Sequence, residues 1–140
     1  MLHEISYGII PLRFDGVWQV FLVQHKGSLH WSFPKGKPEP GETHLATASR
    51  ELFEETRLEM DRRLREVPFK EEYSYQRNGK VWRKEVFYYL AKVRGVPILL
   101  PAEIVDGAWL GFDEAYTKLT HKNTQKILRD VENYCGESSF

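Results

Sequence analysis

The chain has 140 residues, the length of one ordinary domain, and we expect a single domain over residues 1–140. Hydrophobic residues make up 41% and charged residues 29%, a globular composition that excludes disordered and fibrous proteins. The 20 basic side chains balance 20 acidic ones, so no overall field draws the protein to nucleic acid or an anionic membrane. An anionic ligand therefore has to be recognised by a local site.

The cysteine content and the N-terminus indicate a cellular compartment. The one cysteine, Cys135, cannot form an internal disulfide, which fits a reducing environment. The first residues lack the basic region and apolar run of a signal peptide, and no apolar stretch approaches the ~18 residues of a membrane span. We expect a cytoplasmic monomer with neither a membrane nor a nucleic acid as partner.

The chain opens with two predicted strands. Residues 6–12 and 17–24 are rich in Ile, Val and Phe, and the Asp15-Gly16 pair between them is typical of a hairpin turn. Residues 27–41 are dominated by Gly, Pro and Lys and predict a loop, with a short strand at residues 31–33.

Residues 43–58 contain no Gly or Pro and are rich in Ala, Leu, Glu and Arg, which predicts a helix. At 3.6 residues per turn this helix has a core face and a roughly opposite acidic face. The predicted core face comprises Leu45, Ser49, Leu52, Phe53 and Thr56, and the predicted acidic face comprises Glu51, Glu54 and Glu55.

The rest of the chain alternates strands and then helices. An Arg77-Asn78-Gly79-Lys80 segment predicts a turn between two of the strands. The predicted strands are residues 67–75, 81–93 and 104–110, and the predicted helices are residues 113–119 and 123–134. Strands on both sides of a central helix, with helices at the end, indicate an α+β layered domain.

The three glutamates of the acidic face lie within about one helical turn. Like charges at this spacing repel by about 0.2–0.5 kcal/mol per pair unless cations lie between them. One interpretation is a solvated face with Arg50 and Arg57 as partners. The other is a magnesium site, because Mg²⁺ takes oxygen ligands and is usually held by few carboxylates together with substrate phosphates.

A longer pattern distinguishes the two interpretations. Gly36 is followed after five residues by Glu42, and after seven more by the run RELFEETRL at residues 50–58. This string resembles the Nudix box, the loop-helix signature of Nudix hydrolases, G-x5-E-x7-R-E-U-x-E-E-x-G-U with U aliphatic. Only the last glycine differs, since Arg57 replaces it. A non-glycine residue in a left-handed position at a helix end costs on the order of 1 kcal/mol, so the change concerns how the helix ends.

The resemblance implies a Nudix-type α/β/α sandwich with a mixed sheet. It implies that Glu51, Glu54 and Glu55 bind Mg²⁺, or Mn²⁺ in its place, with the Gly36 carbonyl as a further ligand. Arg50 would orient the carboxylates. Water would attack a phosphorus atom without a covalent enzyme intermediate.

Two assignments within this site stay open at the level of sequence. Either Glu54 or Glu55 would accept the proton of the attacking water. Glu103 best matches the further acid that such enzymes recruit for catalysis and metal binding, and its alternative is an ordinary loop carboxylate.

Segments outside the box resemble asymmetrical diadenosine tetraphosphate hydrolases, Nudix enzymes that form ATP and AMP. These segments are residues 31–36, 38–42, 87–93 and 108–115. The alternatives are an RNA 5′-pyrophosphohydrolase, a nucleoside triphosphate pyrophosphatase and, as a different class, a nucleotide-binding domain without turnover. The intact box glutamates argue against the last class.

A dinucleotide substrate needs rings for its bases and cations for its phosphates. Tyr73 and Tyr75 alternate on one strand face and are candidates to stack adenine, with a core role as the alternative. His121 stands where related hydrolases often present an aromatic ring. Lys35, Lys84 and His30 are the cations expected along the phosphates, although any single lysine can be ordinary surface.

Overall fold

A computed structural model of the protein describes residues 2–137. The strands are β1 (Leu2–Phe14), β2 (Trp18–His25), β3 (Trp31–Ser32), β4 (Lys35–Gly36), β5 (Glu59–Arg63), β6 (Phe69–Arg77), β7 (Lys80–Arg94) and β8 (Ile104–Gly111). The helices are α1 (His44–Thr56), α2 (Phe112–Lys118) and α3 (Lys122–Glu137).

All of these strands belong to one mixed sheet with β1 near its centre. β1 pairs in parallel with β7 and antiparallel with β2 and β4. β2 continues the sheet through β3 and β8, and β7 continues it through β5 and β6. The mixed sheet confirms the predicted fold class.

Both faces of the sheet are covered, because β1 is apolar on both sides. Ile9 and Ile10 are neighbours with no exposed surface, and they belong to opposite core clusters. α1 packs on the face of Ile9 through Ala48 and Leu52. The helices α2 and α3 cover the other face through Ala115, Leu119, Ile127, Leu128 and Val131. The result is the α/β/α sandwich that the resemblance implied.

Two strands of the structure have no counterpart among the predicted elements. β5 reads Glu-Met-Asp-Arg-Arg and carries neither the alternation nor the β-branched residues by which strands are recognised. β4 is only two residues long and lies inside the Gly- and Pro-rich loop, where pairing with Tyr7 and Gly8 of β1 holds it in place. Both strands are produced by their partners in the sheet rather than by local preference.

Within residues 2–137, no helix is both long and apolar enough to cross a membrane.

Candidate active site

The helix α1, His44–Thr56, lies within the predicted helix of residues 43–58 and is capped at both ends. The Thr43 hydroxyl accepts a hydrogen bond of 3.2 Å from the backbone N–H of Ala46 and caps the N-terminus. Arg57 closes the helix in the left-handed conformation, with φ 63° and ψ 4°, and its N–H donates to the Phe53 carbonyl. The Arg57 guanidinium lies 4.7 Å from the centre of the Phe53 ring, a cation–π contact that offsets part of the strain.

The predicted division of α1 into faces is wrong at two positions. Phe53, placed on the core face, is 41% exposed, and Glu55, placed on the acidic face, is only 3% exposed. α1 packs beside β4 as well as β1, so its buried stripe is rotated towards the side that carries Glu55. A glutamate of the box is therefore part of the interior.

Gly36 provides space for the first glutamate of α1. A Cβ atom at position 36 would lie 2.0 Å from Cδ of Glu51 and 2.2 Å from its Oε1. No side chain fits there, so the Glu51 carboxylate lies against the backbone of β4. This contact brings the main chain of Gly36 and the Glu51 carboxylate close together.

Arg50 connects the loop before α1 to the carboxylates. Its Nε and Nη2 donate to the two oxygens of Glu42 at 2.7 and 3.0 Å, and this pairing holds the pKa of Glu42 down at about 2. Its Nη1 donates to Glu51 at 2.9 Å and to Glu54 at 3.2 Å. Its Nη2 also donates to the Lys37 carbonyl at 2.9 Å. One guanidinium therefore holds three glutamates of the box, Glu42, Glu51 and Glu54, in position.

Glu55 is a buried carboxyl group with an unsatisfied oxygen. Burial raises its pKa to about 8, with Glu51 and Glu103 adding to the shift and Lys35 opposing it. Burial also raises the pKa of Glu51. Within the described part of the chain, Oε2 of Glu55 has no hydrogen-bond partner. An orphaned buried oxygen of this kind indicates a ligand or an ion as its partner.

Glu103 joins the box glutamates through the backbone of the preceding segment. The N–H groups of Ile98 and Leu100 donate to the carbonyls of Thr56 and Glu55 at 2.9 and 3.1 Å. The Glu103 carbonyl accepts from the Lys26 N–H at 2.8 Å. These bonds place Glu103 next to the end of α1.

The box residues meet in one open cleft of about 530 Å³. Its lining includes Lys35, Gly36, Glu51, Glu55 and Glu103. Within residues 2–137, no three His, Cys, Asp or Glu side chains are grouped tightly enough to hold a metal ion by themselves. Magnesium does not require such a cage, since it keeps several waters and shares its shell with phosphates. The orphaned Glu55 oxygen and the Glu51 carboxylate beside Gly36 fit a hard cation of this kind. Glu54 is not among the described residues lining the cleft, but it shares the Arg50 guanidinium with Glu51.

A second concavity, the aromatic recess, adjoins this cleft. Its two cavities share Glu71, Tyr73 and His121, and their volumes are about 200 and 140 Å³. The Tyr73 and His121 rings are nearly parallel, 19° apart, with centroids separated by 6.5 Å. His121 Nε2 and His30 Nδ1 are 3.1 Å apart. Lys35 lines both the cleft and the smaller cavity, and so connects the two sites.

Two of the expected substrate contacts lie elsewhere. Lys84 is 8% exposed, donates to the Ser6 hydroxyl at 2.7 Å and lies 3.3 Å from a Glu4 oxygen. The Tyr75 hydroxyl donates to Glu4 at 2.6 Å, and its ring stacks on Trp82. Neither residue is among those described as lining the cleft or the aromatic recess.

Three residues of these sites were not selected from the sequence as site residues. The sequence identifies Glu42 only as a position of the box, whereas in the structure its carboxylate binds Arg50. His25 lines both concavities and its Nε2 lies 2.8 Å from the Ser32 hydroxyl; burial, followed by Lys35 and His30, lowers its pKa to about 4. Glu71 was recognisable only as a charge alternating with Tyr73 on one strand face.

Comparisons with known proteins agree with this geometry. The NUDIX domain model matches residues 2–131. A bis(5′-nucleosyl)-tetraphosphatase [asymmetrical] from Rattus norvegicus is 42% identical over 129 residues, covering 90% of this chain and 86% of the rat protein. The Mus musculus protein of the same name is 34% identical over 129 residues with the same coverage. A C. elegans Ap4A hydrolase binary complex shares the fold, with a TM-score of 0.73 and 19% identity over 96% of this chain and 99% of that chain. Since the family model spans nearly the whole chain and the box residues assemble around one cleft, the protein belongs to the Nudix hydrolase family.

Proposed function

We propose that the protein is a magnesium-dependent pyrophosphohydrolase that cleaves diadenosine tetraphosphate to ATP and AMP. The observation that carries this proposal is the position of Lys35, which lines both the carboxylate cleft and the aromatic recess. A nucleotide could therefore place its phosphate chain in the cleft and its base in the adjoining recess. The names of the rat and mouse relatives support the same substrate class.

A bound Mg²⁺ would be held by the carboxylates of Glu51, Glu55 and Glu103 and by the Gly36 carbonyl. Mn²⁺ accepts the same oxygen ligands and could replace it. When bound, the ion neutralises phosphate oxygens and lowers the pKa of the attacking water. Arg50 holds Glu51 and Glu54 in position through its Nη1. Lys35 contributes a further positive charge to the phosphate chain.

A proton has to leave the water that attacks phosphorus, and a carboxylate near the cleft is the natural acceptor. We assign this role to Glu54. Its side chain is 47% exposed and hydrogen-bonded to Arg50, whereas Glu55 is buried and would serve to hold the cation. Glutamine replacements of Glu54, Glu55 and Glu103 distinguish this acceptor from the two alternatives, Glu55 and Glu103.

The aromatic recess would hold one base of the dinucleotide against Tyr73 and His121. The two rings are nearly parallel and line one cavity of about 200 Å³, so a base in that cavity would have an aromatic face to stack on. Stacking contributes ~1–3 kcal/mol per base. His30, bound to His121, would face the phosphates together with Lys35. Tyr75 and Lys84 would act indirectly, by holding the sheet edge through Glu4.

We further propose that the protein acts as a cytoplasmic monomer on a free nucleotide. Its zero net charge provides no general attraction to a polynucleotide. Size-exclusion chromatography with light scattering should give the mass of one chain, 16.5 kDa.

The proposal is tested by a product assay with Mg²⁺ and four substrates: diadenosine tetraphosphate, diadenosine triphosphate, deoxynucleoside triphosphates and 5′-triphosphorylated RNA. We expect equimolar ATP and AMP from the tetraphosphate, with the oxygen of labelled water appearing on a phosphate. A chelator should abolish turnover. Turnover of RNA or deoxynucleotides with an inert dinucleotide would contradict the proposal.

A further inference from the structure

Glu71 is a charged side chain in an unusual place. It is 8% exposed and lines both cavities of the aromatic recess. Its Oε1 accepts from the Tyr88 hydroxyl at 3.3 Å and its Oε2 from the Thr124 hydroxyl at 3.0 Å. Within residues 2–137 it forms no ion pair. A buried carboxylate held only by neutral hydroxyl groups is costly, so a ligand that completes its bonding is expected.

The remaining bonding capacity of Glu71 has a definite chemical character. A carboxylate accepts about four hydrogen bonds, two on each oxygen, and donates none. One bond is already made to each oxygen, which leaves one acceptor site on each of the two neighbouring oxygens. The group that matches this pair is a ligand with two adjacent N–H donors.

The location of Glu71 determines what part of a ligand it meets. It lies two residues before Tyr73 on β6, and both side chains are on the face of the sheet that α3 covers. A base that stacks on the Tyr73 or His121 ring in the cavity that all three residues line therefore has one edge towards Glu71.

The common bases differ in what they offer a carboxylate. Guanine presents N1–H and the 2-amino group as neighbouring donors. Adenine and cytosine present one amino group beside an unprotonated ring nitrogen. That nitrogen is an acceptor, so its lone pair would repel the lone pair of a carboxylate oxygen. Hypoxanthine retains N1–H but lacks the 2-amino group.

We propose that Glu71 selects guanine in the aromatic recess, so that guanine-containing dinucleoside tetraphosphates are better substrates than diadenosine tetraphosphate. This inference rests on the proposed function and refines its substrate. Glu71 binds the edge of the base, away from the phosphates, and takes no part in the cleavage step.

The replacement Glu71→Gln gives a distinctive expectation. The amide retains the shape of the side chain but offers one acceptor and one donor, which complement the amino group and ring nitrogen of adenine. Glu72→Gln is the matched control, because Glu72 is the next residue on the opposite strand face and pairs with Lys70 and Arg83 at the surface. Thermal unfolding of both variants checks that they fold.

The first measurement is kcat/KM with the guanine, hypoxanthine and adenine dinucleoside tetraphosphates. For the wild type we expect guanine to exceed both others by about 5- to 100-fold. Glu71→Gln should lower the guanine value and raise the adenine value, whereas Glu72→Gln should keep the wild-type order. Equal values for guanine and adenine in the wild type, or an order unchanged by Glu71→Gln, would overturn the inference.

A mixed substrate, adenosine–guanosine tetraphosphate, supplies an internal comparison. Asymmetrical cleavage gives either GTP and AMP or ATP and GMP, depending on which base occupies the recess. One pair should dominate for the wild type and the other for Glu71→Gln, a reversal that a purely structural role would not cause. The same product ratio from both proteins would contradict guanine selection.

Binding of mononucleotides without divalent metal separates this inference from the proposed function. GMP should bind the wild type about 5- to 100-fold more tightly than AMP, and Glu71→Gln should reverse the order. If no dinucleotide is cleaved but GMP is preferred, the proposed function fails and the role of Glu71 stands. If dinucleotides are cleaved but GMP and AMP bind alike, the role of Glu71 fails and the proposed function stands.

Discussion

The Glu51 carboxylate lies directly against the backbone of Gly36, where a Cβ atom would be 2.0 Å from Glu51 Cδ. We therefore expect Gly36→Ala to displace the carboxylate and to lower kcat/KM by at least about 100-fold, as misplacement of about 1 Å does in other active sites. Gly136→Ala is the control, because within residues 2–137 a Cβ there would have no heavy atom within 4 Å outside its own stretch of α3. Near-wild-type activity of Gly36→Ala would show that Glu51 does not need this position.

Arg50→Lys tests whether the guanidinium positions the carboxylates. Lysine keeps the charge but cannot donate to Glu42, Glu51 and Glu54 together. We expect kcat to fall by about 10- to 100-fold, as when a supporting partner of a metal site is lost. Glu42→Gln should act through the same network, so the double mutant should lose less than the product of the two single effects. Arg129→Lys, at an exposed surface pair, should retain full activity.

Conservative replacement of each glutamate distinguishes the proton acceptor from the metal ligands. We expect Glu54→Gln to reduce kcat by about 100- to 10,000-fold, the range for loss of a general base, with little change in the affinity for Mg²⁺. Glu55→Gln and Glu103→Gln should weaken Mg²⁺ binding, measured by calorimetry, as well as activity. Unchanged turnover by Glu54→Gln would remove it from the mechanism.

Arg57 occupies a position where the family pattern has glycine. Arg57→Gly removes Cβ strain of about 1 kcal/mol but also the contact with the Phe53 ring, so we expect equal or slightly higher stability. Arg57→Ala keeps the strain and loses the contact, so its free energy of unfolding should be the lowest of the three. Urea titration measures the order, and activity should change little in either variant, because Arg57 is not among the described residues lining the cleft.

Glu55 should make stability depend on pH when divalent metal is absent. Its pKa is about 8 in the folded protein and near 4.5 in the unfolded chain, so between these values the folded state holds a proton that the unfolded state has lost. The free energy of unfolding should therefore fall as the pH rises from 4.5 to 8. Urea midpoints measured in chelator should show this slope, and Glu55→Gln should reduce it. Glu66→Gln, at a side chain that is 87% exposed, should leave the slope unchanged.

The family, the α1 helix and most elements of the sandwich can be predicted from the sequence alone. This prediction is possible because the box is a local pattern with fixed spacing. Amphipathic runs without Gly, and strands rich in β-branched residues, are likewise recognisable over a few consecutive residues. The sequence also indicated that α1 ends at Arg57 in the left-handed backbone conformation.

The burial of individual side chains and their contacts across the sheet depend on tertiary packing and cannot be predicted from local patterns. Glu55 is interior because α1 packs against β4, a strand that has no local signal of its own. Tyr73 and Tyr75 have the same spacing and residue type, yet Tyr73 reaches the aromatic recess and Tyr75 is held by Glu4 on β1. Burial and long-range pairing depend on residues distant in the chain, which is why Glu71 acquires its setting only in the folded protein.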